Sequence, residues 1–155
     1  MILATLYQWL FLLHVLAGMV WLGGAVFVAA LAARATRSDD AGEIARFVRG
    51  LRATAPFVLA PAAVTVAGFG AWLVLNSAAW SFEQGWVQLA LGLFAAAFLI
   101  GAAYLSRRAI AAGRAAETGD AAAARRQLRG WAGGYGVVLA LLLVTTWDMV
   151  FKPGL

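Results

Sequence analysis

His14 is the single histidine of the chain, and Asp148 is the single acidic residue of its last apolar stretch. Ionisable side chains in apolar surroundings are costly, and in a membrane they mark functional sites by default. A helix turns about 100° per residue, which places Gly18, Trp21 and Ala25 on the face of His14. An imidazole beside a glycine leaves room for a large planar group held through a ring nitrogen, with the Trp one turn on to pack against it. The same residues also read as a histidine that hydrogen-bonds a neighbouring helix. Asp148 has two readings as well. As a carboxylate accepting the second imidazole N–H it fixes the tautomer and strengthens the ligand, and as a surface group it pairs with Lys152 one turn later. Lys152 itself reads as an interfacial cation whose stem lies along apolar surface. The chain has no cysteine, which excludes disulfides, thiolate metal sites and thioether attachment of a cofactor. With one histidine, a three-histidine zinc site is excluded too. Met19 and Met149 add too few soft ligands to His14 for a copper(I) path.

These groups need elements to position them. The chain has 155 residues, 64% hydrophobic and 12% charged, with a mean hydropathy of +0.85. Soluble domains carry about twice that share of charge, so a water-soluble globule is excluded. Four apolar stretches, at about residues 3–33, 54–76, 86–106 and 131–151, are each long enough to cross a hydrocarbon core. In lipid only helices and closed barrels satisfy the backbone, and no stretch alternates with the two-residue period of a strand. The sequence therefore predicts an all-α fold: a single four-helix membrane bundle over residues 1–155. Ala30-Leu31-Ala32 resembles a signal-peptide cleavage site, but the apolar stretch before it is too long and lacks a basic start.

Arginine sets the orientation. Arg34, Arg37, Arg46, Arg49 and Arg52 join the first two spans, and Arg107, Arg108, Arg114, Arg125, Arg126 and Arg129 join the last two. The loop between the second and third spans has no Lys or Arg, so the positive-inside rule puts both basic loops in the cytoplasm and both termini outside. The charge of +5 belongs to a membrane surface, and no nucleic-acid partner is expected. Tyr7, Gln8 and Trp9 mark the outer interface and put His14 about 6–8 Å inside it, at ~1.5 Å per residue. Asp148, near the end of the fourth span, lies at a similar depth, and first and fourth helices of a bundle are usually neighbours.

The loops carry structure. Ile44, Phe47, Val48 and Leu51 recur at helical spacing opposite Arg46, Arg49 and Arg52, and Asp40 with Glu43 resembles a capping box, which predicts a short helix along the inner interface. Residues 107–116 continue the third helix, Gly119 closes it and Asp120 caps the next. Pro61 should kink the second span, while Pro56 sits near its start. Gly68, Gly70, Gly92, Gly101, Gly133, Gly134 and Gly136 offer small faces, for helix packing or for a flat ligand. Trp80, Phe82, Trp86 and Trp147 read as an aromatic belt.

The run Leu13-His14-Val15-Leu16-Ala17-Gly18-Met19-Val20-Trp21-Leu22-Gly23-Gly24 resembles the first helix of the bacterial superfamily that contains the CopD membrane domain and the HemJ-type protoporphyrinogen oxidases. The ending Met149-Val150-Phe151-Lys152-Pro153 resembles its apolar-Lys-Pro close. With Trp80-Ser81-Phe82 and Trp86-Val87, nearly the whole chain is similar to an uncharacterised branch of four-span integral membrane proteins in that neighbourhood. The resemblance implies a multi-pass protein of the bacterial inner membrane that binds haem b in its outer half, with His14 as axial ligand. Gly18 and Trp21 would flank the haem, Asp148 would orient the histidine, and Lys152 would meet a propionate. Where HemJ-type proteins carry Tyr-Leu-Pro-Arg and Asn-Glu-x-Pro, this chain reads Phe27-Val28-Ala29-Ala30 and Gly133-Gly134-Tyr135-Gly136. What carries over is thus haem binding, with a redox or haem-handling role, rather than porphyrinogen oxidation. Two other functions fit the residues: a non-catalytic subunit of a larger membrane complex or homo-oligomer, with His14 structural, and copper or small-molecule transport of the CopD type.

Overall fold

The computed structural model describes residues 5–154, and every regular element among them is helical. Four long helices result: α1 (Leu6–Ala35), α2 (Ala41–Leu75), α3 (Gly85–Glu117) and α4 (Ala121–Phe151). They cover nearly all of the four expected spans and run beyond them into the arginine-rich segments. The start of the first span, expected near residue 3, lies outside the described residues.

Local chemistry explains the helix ends. Thr5 and Gln8 form a capping box at α1: the Thr5 N–H donates to Gln8 Oε1 at 2.7 Å, and Thr5 Oγ1 accepts from the Gln8 N–H at 3.3 Å. Asp40 caps α2 by accepting the Gly42 N–H at 2.7 Å. The rest of the expected box is replaced. Ser38 Oγ accepts the Asp40 N–H at 3.1 Å, and Glu43 turns instead to Arg34 at 3.3 Å. Gly119, with φ at +79°, closes α3, and Asp120 caps α4 by accepting the Ala123 N–H at 2.8 Å, both as expected.

The first loop departs from expectation. Its helix is present as Ala41–Thr54, but it does not stop before the span: it passes through a π-helical stretch, Ala55–Leu59, straight into Ala60–Leu75. Pro61 has no N–H to give, and the wider π turn just before it absorbs the lost bond. Pro56 accordingly lies inside a continuous helix and not at a start. Packing holds the stretch in place, since Ile44 and Val48 are buried with Ala109, Ala112, Ala116 and Leu128 in one core. A second π-helical stretch, Ile100–Leu105, lies where α3 leaves its apolar part.

α1 packs on α2 and α4, and α3 packs on α4, while the basic stretch of α2 lies against that of α3. The other halves of α2 and α3 barely touch. Close packing concentrates at the arginine-rich end, where a Cβ on Gly134 would stand 2.5 Å from the Tyr104 ring. Glycine is needed there for α3 to approach α4, and the Tyr104 hydroxyl donates to the Gly130 carbonyl at 3.2 Å. Trp131 stacks on Tyr135 with centroids 4.5 Å apart and meets Phe47 edge-on at 5.6 Å. Only 11–22% of the most apolar stretch of each helix is buried. Exposed Phe57, Val64, Leu75, Phe98 and Leu143 are covered by lipid in an integral membrane protein.

Candidate functional site

Where α2 and α3 stand apart, a cavity of about 470 Å³ opens among all four helices at the aromatic end of the bundle. Its volume falls in the range of small-molecule and cofactor pockets. His14, Gly18 and Trp21 all lie on its wall, so the face read from helical spacing is the face that lines the space. Trp21 packs against Phe94 of α3 at 5.5 Å between centroids. A Cβ built on Gly18 has nothing within 4 Å, which makes that stretch of wall open backbone.

The imidazole is held on one side. Its Nδ1 lies 2.9 Å from the Val66 carbonyl of α2. A carbonyl only accepts, so Nδ1 carries the proton and donates it, and in the neutral imidazole Nε2 keeps its lone pair. Nε2 has no hydrogen-bond partner among the described residues. Gly70, one turn beyond Val66, makes the contact possible: a Cβ there would come within 3.0 Å of His14 Cε1. A backbone carbonyl on one nitrogen is the usual way to fix the tautomer of a histidine that ligates through the other.

Asp148 does not fill the orienting role expected of it, since Val66 does. Its side chain is completely buried, away from the cavity wall, and neither carboxylate oxygen has a hydrogen-bond partner among the described residues. The expected ion pair with Lys152 is also absent among the described residues. The cause is in the backbone. Lys152 caps α4 in the left-handed region at φ 44°, its N–H bonded to the Asp148 carbonyl at 2.8 Å. Its side chain leaves the helix, and Nζ sits over the rings of Trp80 at 5.1 Å and Trp86 at 5.7 Å. These two indoles meet edge-to-face at 5.3 Å, and Trp80 Nε1 donates to the Tyr7 hydroxyl at 3.2 Å. Trp80, Phe82, Trp86 and Lys152 thus form one side of the cavity, whereas Trp147 is exposed beside Phe151 as a belt residue would be.

The remaining wall is apolar. Thr145 and Thr146 spend their hydroxyls on the Leu141 and Leu142 carbonyls of their own helix, at 2.8 and 2.9 Å. Met19 and Met149 reach the same space as His14. Among the described residues no three His, Cys, Asp or Glu side chains gather as an ion site. The arrangement offers one imidazole nitrogen and one ammonium, with the Tyr7 hydroxyl and two thioethers, to a space otherwise lined mostly by hydrocarbon. Sequence reasoning missed Val66, whose contribution is a backbone carbonyl with no signature in residue type. It also missed the role of Gly70, which read as one of several packing glycines.

Residues 8–153 match the family described as Predicted integral membrane protein (DUF2269). The chain belongs to that family. The match takes in all four helices and every residue named for the cavity except Tyr7. No curated protein matches the chain, and no solved structure does.

Proposed function

We propose that this member of the family binds haem b in the cavity at its aromatic end, with His14 Nε2 as the axial ligand. One observation carries the reading: the imidazole donates Nδ1–H to Val66 while its Nε2 has no partner among the described residues on the wall of an apolar cavity of about 470 Å³. The residues fit the group in kind. Gly18 leaves open backbone beside the ligand, Trp21 supplies a ring to pack on, and Lys152 supplies a cation for a propionate. When bound, a haem supplies one-electron chemistry; the chain holds, orients and shields it. Asp148 lies outside this set. The reading sets the protein in the bacterial inner membrane with its arginine-rich end in the cytoplasm.

The test is spectroscopic. Expressed with added haem and purified in mild detergent, the wild type should show a Soret band that shifts on reduction, and His14→Ala should lose it. A wild type without the band overturns the reading. The His14–Val66 bond also supports a second reading, in which the histidine fastens α1 to α2 and the protein serves as a non-catalytic subunit of a larger complex. Stoichiometric co-purification of a membrane partner with a colourless wild type favours that alternative.

A further inference from the structure

A second concavity, of about 370 Å³, lies between α1 and the basic part of α2. On α2 its wall is the stripe Arg46, Gly50, Thr54 and Val58, four residues apart each time, and on α1 it is Leu31, Phe27 and Gly24. Gly24 and Leu59 close the deep end, where a Cβ on Gly24 would stand 2.8 Å from Leu59 Cδ2. The charge lies at one end of the groove and hydrocarbon fills the other. Arg46 lies at one end, then the glycine floor, then hydrocarbon from Val58 and Phe27. The twelve helical steps from Arg46 to Val58 span about 18 Å at ~1.5 Å per residue, close to the ~15 Å of one leaflet's hydrocarbon.

Charge identifies what fits. Arg46 reaches Asp40 with one nitrogen at 3.5 Å and is two-thirds exposed, so most of its donors have no partner among the described residues. Arg49 and Arg52 follow on the same helix, both exposed and outside the ion pairs seen among the described residues. Phe27 and Val58 are exposed at the other end, where the surroundings are lipid. We propose that this groove binds an anionic phospholipid, its phosphate on the Arg46 guanidinium and an acyl chain between Phe27 and Val58. The site is separate from the aromatic-end cavity and does not depend on what that cavity holds.

The experiment is native mass spectrometry of the full chain, released from detergent containing equal amounts of phosphatidylglycerol and phosphatidylcholine. The wild type should retain the anionic lipid in preference. Arg46→Gln should lower that preference about fivefold, the factor corresponding to ~1 kcal/mol per arginine at an anionic surface. Gly50→Phe fills the floor of the groove, where a Cβ meets nothing within 4 Å, and should remove bound lipid of both kinds while the helix content stays. Arg107→Gln, an exposed arginine away from the groove, should change nothing. Equal retention of the two lipids by the wild type overturns the proposal. So does an Arg107→Gln effect as large as that of Arg46→Gln, which would mean a diffuse basic surface with no site.

Discussion

The two ends of this bundle are built by different rules. At the arginine-rich end Ile44, Ala112, Ala124 and Leu128 are fully buried, and glycine lets α3 and α4 come into close contact. At the aromatic end the helices leave a cavity, and three buried side-chain polar atoms without a partner among the described residues, Trp86 Nε1 and both oxygens of Asp148, are found there. Solvent accounts for the difference. Apart from Glu83, Asp148 and Lys152, every charged residue belongs to the arginine-rich end, so that end meets water and headgroups, where apolar side chains are driven together. The aromatic end is surrounded by lipid, which is as apolar as leucine and gives helices no such drive. A gap costs less there, and a site can occupy it.

Substitutions at the two ends should therefore behave differently. The largest effect belongs to Leu128→Ala, which empties a fully buried position and should cost about 2–5 kcal/mol in thermal or denaturant unfolding in detergent. A loss below 1 kcal/mol would mean that the two ends do not differ. Asp148→Leu should act in the opposite direction: removing a buried carboxylate with no partner should stabilise the protein by about 1–3 kcal/mol. A destabilised variant would reveal a partner for that carboxylate. Lys152→Met removes the cation from the two indole faces and should cost about 0.5–2 kcal/mol, with a change in tryptophan emission because Trp80 and Trp86 lose their neighbour. Unaltered emission would contradict the contact. The smallest change in stability is expected for Gly18→Leu. Nothing lies within 4 Å of its Cβ, so melting should move by no more than a gain of about 1 kcal/mol from helix propensity, while the Soret band expected of the wild type disappears. A strongly destabilised Gly18→Leu would show that the cavity is closed.

The fold was readable because its signals are long. Four apolar runs, the arginines between them, and caps such as Asp120 and Gly119 each act locally, and the helices follow them. The continuity of α2 was not readable, since it depends on Ile44 and Val48 finding a core contributed by α3 and α4 and on a π turn accommodating Pro61. The cavity face was legible in part. Helical spacing put His14, Gly18 and Trp21 together on one wall. The partners of that face came from elsewhere in the chain. Depth and charge point to Asp148, but the hydrogen bond goes to a backbone carbonyl 52 residues away, and the backbone turn at Lys152 sends the expected counter-ion toward two indoles instead.

The near-absence of contact between the aromatic-end halves of α2 and α3 leaves the bundle with a seam. A guest seated behind that seam trades acyl chains for protein hydrocarbon, one oily neighbour for another, and gains little from leaving the bilayer. Discrimination among greasy candidates then falls to the few heteroatoms on the wall, so chemistry and not hydrophobicity decides what stays.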